Sequence, residues 1–254
     1  MSTQQRIAVI TGGSRGLGRN AAIRLAEAGT DVVITYRSNR EEAEKVVAEI
    51  RKRGRIGAAL PLDVGKVATF DAFVEQLRDT LHRHWARGSF DCLVNNAGTG
   101  LHALFSETTE AQFDEMVNIH LKGVYFLTQK LLPLIADGGR ILNVSSGLAR
   151  FALPGHSAYA AMKGGIEVLT RYLAKELGPR RISVNVLAPG AIETDFGGGA
   201  VRDNAELNAF VASQTALSRA GQADDIGGVV VALLSPETAW INAQRVEASG
   251  GMFL

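Results

Sequence analysis

Seven short apolar runs, separated by longer helical patterns, constrain this chain more than any other feature. The runs are IAVI (7–10), DVVIT (31–35), GAAL (57–60), CLV (92–94), RILNV (140–144), ISVNVL (182–187) and RVEA (245–248). Between them lie helical stretches at 17–28, 40–53, 67–85, 110–135, 157–177 and 222–234. Most of the runs do not alternate polar with apolar residues, which suits parallel strands covered on both faces. Repetition of strand and helix then predicts an α/β fold, a doubly wound parallel sheet of about seven strands with helices on both faces. No linker, low-complexity tract or internal period divides residues 1–254, so one domain is expected.

Two segments break the rhythm. NIHLKGVYFLTQKLLPLI (118–135) is apolar around much of its circumference, so a helix there needs a partner on a second side, such as another subunit. Between Pro189 and Asp225 the alternation stops, with three glycines at 197–199. An interruption of that length in a compact domain is commonly a lid or binding loop, here placed near 191–215.

Composition excludes several classes. A net charge of +1 gives no whole-chain attraction to nucleic acid or an anionic membrane. The single cysteine, Cys92, permits no disulfide within the chain, which fits a reducing compartment. The N-terminal apolar run is too short for a secretory signal, and no run has the length of a membrane span, so a cytoplasmic protein is expected. The five histidines show no metal-ligand spacing.

The first strand runs into TGGSRGLG (11–18) and then a helix. In this context Gly12, Ser14, Arg15, Gly16, Leu17 and Gly18 can cradle a pyrophosphate with backbone N–H groups at a helix N-terminus. The second strand ends in TYRSN, where NAD-selective chains place a carboxylate for the ribose hydroxyls. Here Arg37 and Ser38 stand instead, with Arg15 in the glycine loop, a set suited to the 2′-phosphate of NADP(H). Asp63 and Val64 follow the third strand, NNAG (95–98) the fourth, and APGAIETD (188–195) the sixth. All lie where ligands bind in open α/β sheets. In SAYAAMKGG (157–165), Tyr159 and Lys163 are four residues apart and share one face of a helix.

Taken together, TGGSRGLG, Asp63–Val64, NNAG, Asn118, SS at 145–146, YAAMK at 159–163 and PG at 189–190 resemble the classical short-chain dehydrogenase/reductase family. The order and spacing match over essentially the whole chain, and the similarity extends to ketoacyl-reductase-like and glucose-dehydrogenase-like members. The resemblance implies a Rossmann-type domain, carbonyl reduction or alcohol oxidation with NADP(H), and a homo-oligomer, commonly a tetramer. It implies Tyr159 as the catalytic acid/base, Lys163 as its partner, and Asn118 as the fourth member of a tetrad. Ser146, thirteen residues before Tyr159, matches the catalytic serine, with Ser145 as the second choice. By the same resemblance Asn95, Ala97 and Gly98 line the cofactor, Asp63 and Val64 touch its adenine, and Thr194 contacts its nicotinamide amide; Pro189, Gly190 and Ile192 are further cofactor candidates, as are Tyr159 and Lys163. The chain departs near its C-terminus, where Asn242 and Ala243 stand in place of a common Thr-Gly pair.

The residue types suit the chemistry. Reducing a carbonyl requires a proton on oxygen, and a free phenol has a pKa of about 10. An ammonium about 4 Å away, at an effective dielectric near 20, favours phenolate by about 4 kcal/mol, so Lys163 is expected to lower the phenol. The rival is a non-catalytic NADP-binding regulatory or sensor protein on the same fold. The substrate, a small-molecule carbonyl or alcohol, is not specified by the motifs; an apolar wall is expected from Phe196, Val201, Leu207, Phe210 and Val211 and from GTGLHALF (98–105).

Overall fold

In a computed structural model, described for residues 5–254, all the expected strands join one parallel sheet in the order β3-β2-β1-β4-β5-β6-β7. The strands are β1 (Ile7–Ile10), β2 (Asp31–Tyr36), β3 (Gly57–Pro61), β4 (Phe90–Asn95), β5 (Ile135–Val144), β6 (Ser183–Pro189) and β7 (Arg245–Ala248). The helices α1 (Gly16–Glu27), α2 (Arg40–Lys52), α3 (Phe70–Trp85), α4 (Glu110–Val117), α5 (Gly123–Leu131), α6 (Ser157–Glu176), α7 (Ala200–Asp203), α8 (Ala205–Ser213) and α9 (Ala223–Leu234) link them. Strand order reverses between β1 and β4, which opens a crevice at their carboxyl ends.

Burial explains why the strands are continuously apolar. Val9, Val33, Leu93, Ile141 and Val184 point to one layer of helices with α3 and α5. Ala8, Ile10, Val32, Val94 and Leu142 point to the other, with α1, α2 and α9. Local signals start the helices: Asn39 accepts from the Glu42 N–H at 3.1 Å, and Thr109 with Gln112 forms a capping box. Basic residues gather where helices end. Arg53, at the end of α2, pairs with Glu27 and Glu49, and Arg87, just past α3, pairs with Asp91.

The sheet's C-terminal half carries a buried polar chain. Asn95 donates to Thr128 Oγ1 at 3.0 Å and to Asn143 Oδ1 at 2.8 Å, and Asn143 donates to Thr170 Oγ1 at 2.9 Å. These bonds tie β4, β5, α5 and α6 together directly beneath the crevice. Such a network stabilises one arrangement of helices because each buried polar atom needs its partner.

The 110–135 segment departs from the expected single helix. A π-helical turn, Asn118–Lys122, separates α4 from α5, and the Gly123 N–H donates to the Asn118 carbonyl five residues back. A 3-10 turn at Leu132–Leu134 then ends the helix, and β5 begins at Ile135, earlier than the apolar pattern suggested. Ile135 pairs with Phe90, and the register shifts before Cys92 pairs with Arg140. Gly138, with φ of 78°, takes up that irregularity. The π turn packs against the loop after β3: a Cβ on Gly123 would collide with the Val64 carbonyl and lie 2.8 Å from the Asn118 carbonyl.

Gly123→Ala therefore has no flexible neighbour to displace. Overpacking against backbone costs roughly 1–3 kcal/mol, or about 2–10 °C of Tm for a chain of this size. Calorimetry on the purified variant checks this; an unchanged Tm would mean that the Val64 loop yields freely.

Candidate active site

Thr11 and Asn96 join the two sides of the crevice. The Thr11 hydroxyl accepts from the Asn96 and Ala97 N–H groups at 2.9 and 3.0 Å. Asn96 Nδ2 donates to the Thr11 carbonyl at 2.9 Å and to the Gly12 carbonyl at 3.2 Å. The glycine turn is also held from β2, where Thr35 Oγ1 accepts from the Gly12 N–H at 3.2 Å. Gly12 takes a φ of 66°, and a Cβ on Gly18 would strike the Gly12 carbonyl and the Asn96 amide. The glycines thus permit a turn packed too closely for side chains, and the first turn of α1 opens onto the crevice. Arg15 and Arg37 are exposed and form no ion pair among the described residues, so both cations are available to a phosphate. Ser14 and Leu17 lie half-buried in the turn, and Ser38 is exposed beside Arg37.

The remaining cofactor candidates divide. Asp63 accepts from the Gly65 N–H at 3.0 Å, capping the loop that carries Val64. Ala97 and Gly98 border the crevice, whereas the Asn95 side chain turns inward to Thr128 and Asn143. Asn96, not singled out from the sequence, is the neighbour that braces the glycine turn. Pro189 and Gly190 end β6, where a Cβ on Gly190 would lie 2.8 Å from Ser249 Cα. Ile192 bridges to Gly221, and buried Thr194 faces Gly16. Between Gly16 and Thr194 opens a cleft of about 170 Å³, lined also by Arg19, Asn20, Glu193 and Arg202.

Tyr159, Lys163 and Ser146 converge beyond β5. Tyr159 and Lys163, on α6, are 7% and 5% exposed. Lys163 Nζ donates to the Val144 carbonyl at 2.8 Å and lies 5.4 Å from the centroid of the Tyr159 ring. The neighbouring serines face different ways. The Ser145 hydroxyl donates into the interior, to Glu167 Oε1 at 2.7 Å. The Ser146 hydroxyl faces the phenol and accepts from the Leu148 N–H at 3.2 Å, starting a short 3-10 turn. An ion-pair chain backs this loop: Arg245 bonds Glu167 at 2.7 Å, Glu247 at 2.7 Å and the Ser146 carbonyl at 3.3 Å.

Asn118 and His120 lie on the π turn beside this group. Asn118 makes no side-chain hydrogen bond to Tyr159, Lys163 or Ser146; its carbonyl closes the π turn. Two residues on, the buried His120 packs edge-to-face on Tyr159, with ring centroids 5.1 Å apart at 85°. Positions two apart on a helix point to nearly opposite sides, so only one of the pair can face α6. A lone histidine within the apolar run 118–135 was the available signal for this placement.

Electrostatics also correct the expected sign at Tyr159. Burial raises the phenol above its ordinary value, and the Ser146 hydroxyl opposes this only in part. Lys163 sits over the ring face and its bond is to a carbonyl, so desolvation outweighs its attraction for phenolate. Burial likewise pulls Lys163 down to about 8. Burial, with the Lys163 charge second, holds His120 down to about 3, so its imidazole is neutral.

Over the site stands the 191–215 segment. Phe196 lies with its ring centroid 5.9 Å from that of Tyr159 and is half exposed. Gly197, Gly198 and Gly199 follow with φ of 61°, 75° and 81°, three left-handed residues in succession that only glycine adopts readily. Val211 and Leu207 pack with Met252 and Phe253 instead of facing Tyr159, and Phe210 leans on Phe253 at 6.4 Å. His102 and His156 meet edge-to-face at 5.1 Å, and Phe196 packs over Gly100 of the 98–105 loop.

Comparisons with known proteins agree with this geometry. Residues 12–253 match the family described as Enoyl-(Acyl carrier protein) reductase. The 3-oxoacyl-[acyl-carrier-protein] reductase FabG of Staphylococcus aureus is 36% identical over 249 residues, covering 97% of this chain and 98% of that protein. The structure of LugOII, described as a promiscuous reductase that catalyses keto-reduction at C1 during lugdunomycin biosynthesis, superposes with a TM-score of 0.93 at 36% identity, covering both chains fully (100%). The angucycline C-6 ketoreductase LanV with bound NADP superposes at 0.93 with 33% identity, over 98% of this chain and 95% of that one. With its seven-stranded parallel sheet, its glycine turn at the switch point and the convergence of Tyr159, Lys163 and Ser146, the chain belongs to the short-chain dehydrogenase/reductase family, alongside ketoreductase-like members.

Proposed function

We propose that the protein is a cytoplasmic, NADPH-dependent ketoreductase, and that the observation carrying this reading is the gathering of Tyr159, Lys163 and Ser146 beside the glycine turn. The fit to a dinucleotide is supported by the crowded Gly12–Gly18 turn, which side chains would fill, and by Arg15 and Arg37 next to it, exposed and without an ion pair among the described residues. Gly12 to Gly18 would hold the pyrophosphate, Arg37, Ser38 and Arg15 the 2′-phosphate, and Asp63 and Val64 the adenine. Gly98, Pro189, Gly190, Ile192 and Thr194 would border the nicotinamide, which supplies hydride when bound. The chain's own part is proton delivery. Ser146 orients the carbonyl oxygen, Tyr159 gives it a proton, and the Lys163 ammonium favours the phenolate left behind. The raised phenol suits this direction, since Tyr159 stays protonated until the oxygen needs the proton.

The substrate reading is a ketone borne on a flat ring system. Phe196 beside Tyr159 and the His102–His156 pair offer ring faces and edges to such a molecule. LugOII is described as catalysing keto-reduction at C1 during lugdunomycin biosynthesis, and LanV as an angucycline C-6 ketoreductase. An extended acyl thioester, the substrate class of FabG, is the competing choice. Phe113, Tyr125, Val168 and Tyr172 are exposed on the faces of α4, α5 and α6, and in this reading they are covered in a homo-oligomer, a tetramer. No helix among the described residues is long and apolar enough to cross a membrane.

NADPH oxidation followed against bicyclic aromatic ketones and an acetoacetyl thioester tests this directly. The ring ketones are expected to give the higher kcat/KM, and no turnover of any carbonyl would sink the reductase reading. Tyr159→Phe removes the proton donor with little change in volume, so it retains NADPH binding and loses roughly 10²–10⁴-fold in rate.

Arg37→Asp exchanges attraction for repulsion at the 2′-phosphate. A charged hydrogen bond there is worth about 1.5–3 kcal/mol, so KM for NADPH is expected to rise about tenfold or more while NADH is spared. Unchanged NADPH kinetics would leave the phosphate to Arg15.

The pH profile follows from Lys163. Its charge is present below its value of about 8 and is lost as pH rises through it, so the reduction rate falls across that range. Lys163→Met removes this inflection along with most of the rate, and an inflection that survived would belong to another group.

A further inference from the structure

Charged side chains grip the loop that carries Ser146 at both of its ends. Glu167 stands on α6 four residues beyond Lys163, on the same face, with its side chain 15% exposed. Its Oε1 accepts from the Ser145 hydroxyl at 2.7 Å and from Arg245 Nε at 2.7 Å. Arg245 opens β7 and lies on the same face of that strand as Glu247, two residues on. Its guanidinium uses all three nitrogens: Nε on Glu167, Nη1 on Glu247 Oε2 at 2.7 Å and Nη2 on the Ser146 carbonyl at 3.3 Å. Glu247 also takes Arg150, at the far end of the loop, through bonds of 2.6 and 2.8 Å. Arg150 donates in turn to the Met252 and Phe253 carbonyls at 2.7 and 3.0 Å. The Arg150 guanidinium, against the cost of burial, holds the Glu247 carboxyl down to about 2, so that carboxylate stays charged at neutral pH.

These contacts fix the peptides on both sides of Ser146. Ahead of it, the Ser145 N–H donates to the Leu187 carbonyl at 2.7 Å and the Ser145 hydroxyl is held by Glu167. Behind it, the Ser146 carbonyl is held by Arg245. Between those two anchors the extended backbone of Ser146, with φ of −158° and ψ of 153°, turns its hydroxyl to the phenol. A largely buried ion pair repays its own desolvation poorly as a source of stability, so geometry is the better reason for one here. The planar fork of an arginine is the group that meets three acceptors at once.

We propose that Arg245 is a positioning residue for the reaction: with Glu167 it clamps the Ser145–Ser146 segment so that the Ser146 hydroxyl stays on the Tyr159 phenol. The inference rests on the reductase reading, in which Ser146 orients the carbonyl oxygen. Arg245 and Glu167 act through Ser146 and not on the substrate, and they give β7, at the edge of the sheet, a hold on the site.

A double-mutant cycle on kcat separates this role from plain support of the fold. Arg245→Met keeps most of the stem and removes the fork; kcat is expected to fall about tenfold or more, as small misplacements at a reacting centre do, with NADPH affinity by fluorescence titration within about threefold. Introduced into Ser146→Ala, the same substitution is expected to change the residual kcat by no more than about twofold. Equal losses in the two backgrounds, or an Arg245→Met variant with wild-type kcat, would overturn the proposal. Arg245→Lys keeps the charge and so guards against a variant that fails to fold. A single ammonium cannot span the three acceptors, so this variant is expected to lose about threefold or more, again only where Ser146 is present. A crystal structure of Arg245→Lys reads the inference without turnover: the Ser146 hydroxyl is expected to leave the Tyr159 phenol, and an unmoved hydroxyl overturns the proposal. Wild type inactive on every carbonyl, or Ser146→Ala at the wild-type rate, would defeat the reductase reading and leave that crystal structure to decide the clamp.

Discussion

The clasp between the ends of β1 and β4 is the interaction on which the rest of the site depends. Parallel neighbours at the reversal of strand order diverge at their carboxyl ends, because their crossovers leave on opposite faces. The Thr11 hydroxyl and the Asn96 amide span that gap with bonds of 2.9–3.2 Å. They hold the glycine turn on one side and the 97–99 wall on the other. The wall in turn rests on His120, and His120 rests on Tyr159. The glycine turn and Tyr159 are therefore parts of one packed unit, not separate motifs on a common sheet.

Desolvation dominates the electrostatics of that unit. Tyr159, Lys163 and His120 are all buried, and each is pushed toward its neutral form: the phenol up, the ammonium down to about 8, the imidazole down to about 3. Spacing alone had pointed to an ammonium pulling the phenol down. A Coulomb estimate at fixed distance omits the loss of water, which in an apolar pocket between α4, α6 and the β5 loop is the larger effect. The Ser146 hydroxyl works against it at Tyr159, and the Thr99 backbone does so at His120. A network of full charges lies one layer further out, where Arg245, Glu167 and Glu247 tie the Ser146 loop to β7.

The strands, most of the helices and the reversal point were legible because each is written locally. Continuous apolar runs mark doubly covered strands, and the Gly12–Gly18 turn sits directly after the first of them. The long apolar helix was read less well. Its period matches a helix throughout, and nothing in that period announces the π turn at Asn118–Lys122 or an early start for β5 at Ile135. Both depend on distant partners: the Val64 carbonyl against Gly123, and Phe90 paired with Ile135. The same turn decided between Asn118 and His120, since an extra residue in the helix rotates everything after it.

The amino-acid sequence by itself determined the α/β class, the seven strands, the glycine-rich turn after β1 and the i, i+4 pairing of Tyr159 with Lys163. These rest on periodicity and on covalent neighbours, which the chain carries wherever it goes. Only the tertiary structure decided that Ser145 faces inward and Ser146 outward, that Asn96 and not Asn95 braces the glycine turn, and that His120 stands behind Tyr159. Each of those outcomes is a contest between adjacent or near-adjacent residues of similar chemistry, and it is settled by what packs against them from elsewhere in the chain. Such contacts join residues far apart in sequence, and no local pattern encodes them.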